Sequence, residues 1–133
     1  MAHFDLIQYE QASDEVKEVF DDIKNLRKIP DVNNFWKCLA NHPPTLKRTW
    51  KNLKEVMAPG ALDSLTKEMI YVAVSASNGC EYCIQSHTAA ARKQGMTDEM
   101  FGELIAVVVM ANEINRLVHG YQVPLDPQFV KEN

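Results

Sequence analysis

The 133-residue chain has no long apolar run, no excess of positive charge, few aromatic residues and only three cysteines. Each shortage removes a class of protein. The longest fully apolar stretch, residues 104–111, falls well short of the roughly 20 residues that cross a bilayer, so it reads as buried helix and no membrane partner is expected. Lys and Arg number 14 against 18 Asp and Glu, a formal net charge of −4. No basic cluster stands out along any expected helix, so there is no footprint for a phosphate backbone and no nucleic-acid partner is expected. Residues 1–18 lack the basic start and continuous apolar centre of a secretory signal. Together with the odd cysteine number, this implies reduced thiols in the cytoplasm rather than a disulfide framework. Period-two alternation bounded by turn dipeptides is also missing, and so are internal repeats and low-complexity linkers.

What is present is ample apolar content, 46% of residues, in a chain of ordinary domain length. The reading is one all-α domain over residues 1–133, built from about six helices. Ser13, with Asp14 and Glu15 after it, reads as an N-cap, and Val16, Val19, Phe20, Ile23 and Leu26 recur at helical spacing as far as Pro30. A short second helix carries Phe35, Trp36, Leu39 and Ala40 and stops before Pro43 and Pro44. The third starts there and carries Leu46, Trp50, Leu53, Val56 and Met57 up to Pro59-Gly60. Either Asp63 or Ser64 caps a fourth helix, apolar round most of its circumference and therefore expected to be buried; Ser77-Asn78-Gly79 interrupts it. A fifth helix carries Cys80 to about Gln94, with Gly95 after it. The sixth, capped by Thr97, runs to about His119, where Gly120 is expected to end it, and the tail after Pro124 is expected to be loose.

The chemistry concentrates in Cys80-x-x-Cys83-x-x-x-His87. On a helix these three positions fall within about 60° of one another, so two sulfurs and an imidazole share a face. Cys80 is also expected in the first turn, where unpaired N–H groups and the helix dipole favour a thiolate. The plain alternative makes the cysteines small hydrophobes and His87 a core histidine. A zinc site is the other alternative, with Glu68 or Cys38 as fourth ligand. It is disfavoured because zinc C-x-x-C pairs usually lie on turns and no second such pair follows. Glu68 on an apolar helix would be desolvated, which suits a general base, although a carboxylate near a helix start is also a common dipole partner. Cys38 reads as a core residue and His42 as part of a turn. Asn112 and Asn115 could line a pocket or simply be solvated.

Glu68, twelve residues before Cys80, then Asn78-Gly79-Cys80-Glu81-Tyr82-Cys83, His87 and Ala89-Ala90-Ala91-Arg92 to Gly95, resembles the AhpD-like alkylhydroperoxidase family of the carboxymuconolactone decarboxylase superfamily. The match is strongest over residues 62–119; His42-Pro43 and Trp50 resemble a peroxidase-related subgroup. The resemblance implies an all-α fold in a homo-oligomer, a trimer or hexamer, with no bound cofactor or metal. It implies a thiol-dependent peroxidase that reduces hydroperoxides through a Cys80/Cys83 sulfenic acid and disulfide cycle. Cys83 would be the peroxidatic sulfur, Cys80 the resolving one, Glu68 the base and His87 the relay. The helix-dipole argument alone points to Cys80 as the thiolate; the position of His87 one turn beyond Cys83 points the other way. Tyr82 stands where well-known peroxidases of the family have a further histidine, which leaves open a shorter relay, or one completed by water, with weaker activity. Turnover would need an external dithiol, a thioredoxin-like protein or a dihydrolipoyl group. Two other readings stand beside this one: a redox-sensing or binding module whose cysteine pair oxidises slowly, and a carboxymuconolactone decarboxylase-like lyase. The lyase has no evident use for a thiol pair.

Overall fold

Side-chain caps fix where the longer helices begin, as the sequence indicates. In the computed structural model, which describes residues 3–130, the Ser13 hydroxyl accepts from the Val16 N–H at 3.3 Å and starts α1, Asp14–Arg27. Asp63 rather than Ser64 caps α4, Ser64–Asn78, its carboxylate accepting from Thr66 N–H at 2.7 Å. Thr97 caps α6, Asp98–Tyr121, by accepting from Met100 N–H at 3.1 Å. Each bond satisfies one of the donors that a first helical turn leaves open. Between these lie α2, Asn34–Leu39, α3, Pro43–Met57, and α5, Glu81–Lys93. With two short 3-10 turns at Tyr9–Gln11 and Pro127–Phe129, they make an all-α chain with six α-helices and no strand among the described residues.

Three boundaries differ from expectation. α1 stops at Arg27, before Pro30, because Lys28 turns into the left-handed region at φ 55° and donates its N–H back to Lys24. Gly120 does not end α6: the helix continues through Tyr121, and Gln122 takes the left-handed φ of 49°. Cys80 is the N-cap residue of α5 and not its first helical residue.

The chain packs as two compact units divided between Ala58 and Pro59. In the first, α1, α2 and α3 enclose Val16, Phe20, Ile23, Val32, Trp36, Leu46 and Trp50. The Trp36 and Trp50 rings meet edge to face, centroids 5.4 Å apart, and Trp50 Nε1 donates to Asp22 at 2.7 Å. An indole N–H in a core thereby keeps a partner. Lys37 is buried, with its ammonium on Asp31 at 2.6 Å and on the Gln8 amide oxygen at 2.9 Å. Cys38, expected in the core, is half-buried on α2.

In the second unit α4 packs against both α5 and α6. Arg92 at the end of α5 donates to Asp98 in the first turn of α6 at 2.6 Å, and Asn112 Nδ2 ties α6 to α4 through Ser77 Oγ at 2.8 Å. That bond gives Asn112 a structural role; Asn115 is exposed. The expectation that α4 is buried fails in part. Val72 and Ser75 are buried, whereas Ile70 and Val74 are about half exposed, because α5 and α6 cover only part of a helix that is apolar round most of its circumference. α6 has no buried residue at all, and Val107, Val109, Met110, Ile114 and Leu117 stand exposed along it. No helix among the described residues is long and apolar enough to cross a membrane.

Candidate active site

The link between α4 and α5 is short because Gly79 permits it. Gly79 takes the left-handed conformation, φ 72°, open to glycine without the crowding that a Cβ brings. Its N–H reaches Ala76 O at 3.4 Å, and the Cys80 N–H reaches Ser75 O at 3.0 Å. This is the paired closure of a Schellman motif, which satisfies the last carbonyls of α4 and reverses the chain. Cys80 therefore leaves one helix and caps the next. At the cap it meets the positive end of the α5 dipole, where negative charge is stabilised.

The two sulfurs interact. The neighbouring Cys83, through its thiol first and its backbone N–H second, holds the Cys80 thiol below its ordinary range. Burial pushes Cys83 up, and its hydrogen bond to Cys80 pushes the same way, opposed by a hydrogen bond from Tyr71. Cys80 is thereby the more acidic thiol of the two. Both cysteines, like Cys38, are free thiols.

Glu68 and Tyr71, one turn apart on α4, face Cys83 and His87, one turn apart on α5. Glu68 Oε2 and His87 Nδ1 are 2.6 Å apart, with only 12% and 14% of the two side chains exposed. A contact this short and sheltered fixes the imidazole plane and leaves Nε2 as the nitrogen free to exchange a proton with the site. The Tyr71 ring lies flat on the imidazole, centroids 3.6 Å apart and planes 20° from parallel. Burial first, then the charge of Cys83, raises the Tyr71 phenol above its usual value, so at neutral pH it is a hydrogen-bond donor.

All four expected residues, Glu68, Cys80, Cys83 and His87, thus lie in the α4–α5 hairpin, with Glu68 and His87 in contact and the two cysteines in contact. Tyr71 is the group that sequence reasoning missed. The one available signal is its spacing, three residues after Glu68 and so on the same helix face. The zinc alternative meets a different arrangement: among the described residues no three His, Cys, Asp or Glu side chains are grouped to hold a metal, and Glu68 and His87 direct their facing atoms at each other. His42 lies at the head of α3, where its Nδ1 is 2.7 Å from Thr45 Oγ1.

Comparison with known proteins follows this geometry. Residues 43–126 match the model of the carboxymuconolactone decarboxylase family, and the chain belongs to that family. Within it the likeness is to AhpD proteins. The crystal structure of an alkylhydroperoxidase AhpD core from Rhodospirillum rubrum is 47% identical, with 99% of each chain covered and a TM-score of 0.91. Among curated proteins, "Uncharacterized protein 4 in cox locus" of Paracoccus denitrificans is 46% identical over 41% of this chain and 49% of its own length. The alkyl hydroperoxide reductase AhpD of Solibacter usitatus is 33% identical over 55% of this chain and 40% of its own. The match thus spans about half or less of either relative.

Proposed function

We propose that the protein is a thiol-dependent peroxidase that reduces hydroperoxides through Cys83 and Cys80. The observation that carries this reading is the sheltered 2.6 Å Glu68–His87 contact in the same helical hairpin as the two cysteines, with the Cys80 thiol held down and the Cys83 thiol pushed up. Oppositely shifted neighbours divide the roles of acid and base. With the first proton gone, a Cys80 thiolate takes the proton of Cys83 along their hydrogen bond. The Cys83 thiolate then attacks the distal oxygen of the hydroperoxide. A sulfur–oxygen bond forms, the oxygen–oxygen bond breaks, and the departing alkoxide takes a proton relayed through His87 and Glu68. Cys83 is left as a sulfenic acid. Cys80 attacks that sulfur, the disulfide forms and water leaves. An external dithiol, thioredoxin-like or dihydrolipoyl, returns two electrons and two protons by exchange at the more exposed Cys80.

The family resemblance supports the same order of roles, and the AhpD relatives carry the matching activity in their names. A second order has its own support: the depressed Cys80 thiol would make Cys80 the first nucleophile. Two substitutions separate them. Cys83→Ser should abolish reaction with hydroperoxide. Cys80→Ser should still react once, more slowly for want of its base, and leave a dimedone-trappable sulfenic acid at Cys83. The reverse pattern would assign the attack to Cys80. Reaction of both variants at the rate of an ordinary exposed thiol would sink the peroxidase and leave a slowly oxidised sensing pair.

A further inference from the structure

His87 carries the proton in the proposed cycle, and an imidazole delivers a proton only along the direction in which its Nε2 faces. Glu68 Oε2 holds the Nδ1 edge at 2.6 Å. That contact sets the plane from one edge alone, since approach to a carboxylate oxygen is broadly distributed in direction, and the opposite edge, which carries Nε2, can still rock. The Tyr71 ring removes that freedom. It stands on α4 one turn after Glu68 and lies over the imidazole of α5, centroids 3.6 Å apart and planes 20° from parallel. Tilting the imidazole toward the phenol ring drives atoms below van der Waals separation, and tilting it away gives up stacked contact. Edge and face of His87 are thus held from the same helix before any substrate arrives.

We infer that Tyr71 is a positioning residue of this site: its ring, stacked on His87, aims Nε2 so that the imidazole protonates the departing alkoxide. The inference rests on the proposed peroxidase chemistry and goes beyond it by naming what aims the acid. In the step itself the Cys83 sulfur supplies an electron pair to the distal oxygen, the sulfur–oxygen bond forms and the oxygen–oxygen bond breaks. The Glu68–His87 pair gives one proton, from Nε2, to the alkoxide oxygen and regains it from solvent before the next turnover. Tyr71 neither gives nor takes a proton, and the role needs its ring and not its hydroxyl. Proton donation matters where the leaving group is poor. An alkoxide has to be protonated as it departs, whereas a carboxylate or an iodide departs as a stable anion. The need for aim therefore follows the leaving group and is independent of the sulfur.

Tyr71→Leu and Tyr71→Met remove the ring and keep an apolar side chain suited to a helix; Tyr71→Phe keeps the ring and removes only the hydroxyl. Each reduced protein is mixed with tert-butyl hydroperoxide, with peracetic acid and with iodoacetamide, and modification of Cys83 is timed by quenched-flow peptide mass spectrometry, with thermal melts to check folding. The expected result is a reaction with tert-butyl hydroperoxide slowed by about 10–10²-fold in the Leu and Met variants, the cost of a misaimed catalytic group. Their rates with peracetic acid and iodoacetamide should stay at the parent values, and Tyr71→Phe should match the parent with all three reagents. A purely structural role would slow the three reagents together. That uniform loss, an unchanged tert-butyl hydroperoxide rate in either folded ringless variant, or a Tyr71→Phe protein as slow as Tyr71→Leu overturns the inference. The peroxidase reading fails by a separate observation: a parent protein that meets tert-butyl hydroperoxide no faster than an ordinary exposed thiol removes that reading, and the aimed acid with it, whatever the variants do.

Discussion

At Glu68, exchanging one carboxylate oxygen for an amide nitrogen separates charge from shape. Glu68→Gln keeps an oxygen that can accept from His87 and loses the negative charge and basicity of the group. Sulfenic acid formation should slow by about 10²–10⁴-fold, the usual range for general acid–base catalysis, with an unchanged thermal melt; His87→Ala should act in the same direction. Stopped-flow mixing with hydroperoxide measures the rate, and a variant as fast as the parent would show that the Glu68–His87 contact serves packing alone. Of the candidate site, Cys80, Cys83 and His87 stood out in the sequence because their spacings follow helical turns, and Glu68 through the family resemblance. Tyr71 did not. A tyrosine in the stretch from Leu65 to Ala76 reads as one more packing residue, and its role depends on how α4 crosses α5, which the periodicity of a single helix does not contain. The same limit hid the backbone of Cys80: spacing placed it on one helical face with Cys83, whereas it stands at the N-cap of α5 in extended conformation.

At the level of the elements, two glycines behave in opposite ways. Gly79 closes α4 at φ 72°, and nothing lies within 4 Å of the place a Cβ would take, so the cost of Gly79→Ala is purely that of the left-handed backbone, about 1–2 kcal/mol. Gly120 lies inside α6 with equally open surroundings, and Gly120→Ala should stabilise by up to about 0.5–1 kcal/mol through helix propensity. Thermal or urea melts of the two variants should therefore move in opposite directions. A destabilising Gly120→Ala would mean that α6 does end where the sequence seemed to end it. Helix starts were readable because a cap is a local device: Ser13, Asp63 and Thr97 each bond the N–H three residues on. Helix ends were less so. Lys28 and Gln122 both adopt left-handed backbone that sequence assigns to glycine by preference, and that choice is made by the segments that follow them.

For the whole molecule, the apolar residues that α4 and α6 leave exposed, Ile70, Val74, Val107, Met110 and Ile114 among them, are more than isolated surface hydrophobes. Large apolar residues exposed in this number along two helices that pack on each other point to an interaction surface, and a homo-oligomer is the occupant we propose. Light scattering at micromolar concentration should give a multiple of 15.1 kDa, and Ile114→Glu should lower it; a parent protein at 15.1 kDa would refute the oligomer and leave the thiol chemistry untouched. The all-α class followed from the missing strand signals, and the apolar excess of the fourth and sixth helices over what one short chain covers was legible as well; which of those residues stand exposed was not, since that depends on how the helices pack. The central claim is the two-cysteine cycle, and the most direct measurement of it is oxidation of the fully reduced protein by one equivalent of hydroperoxide, followed by thiol counting, intact mass and peptide mapping. The account predicts loss of two of the three thiols, a mass lower by about two hydrogens and a Cys80–Cys83 disulfide; thiols that survive the peroxide, or a disulfide that includes Cys38, would contradict it.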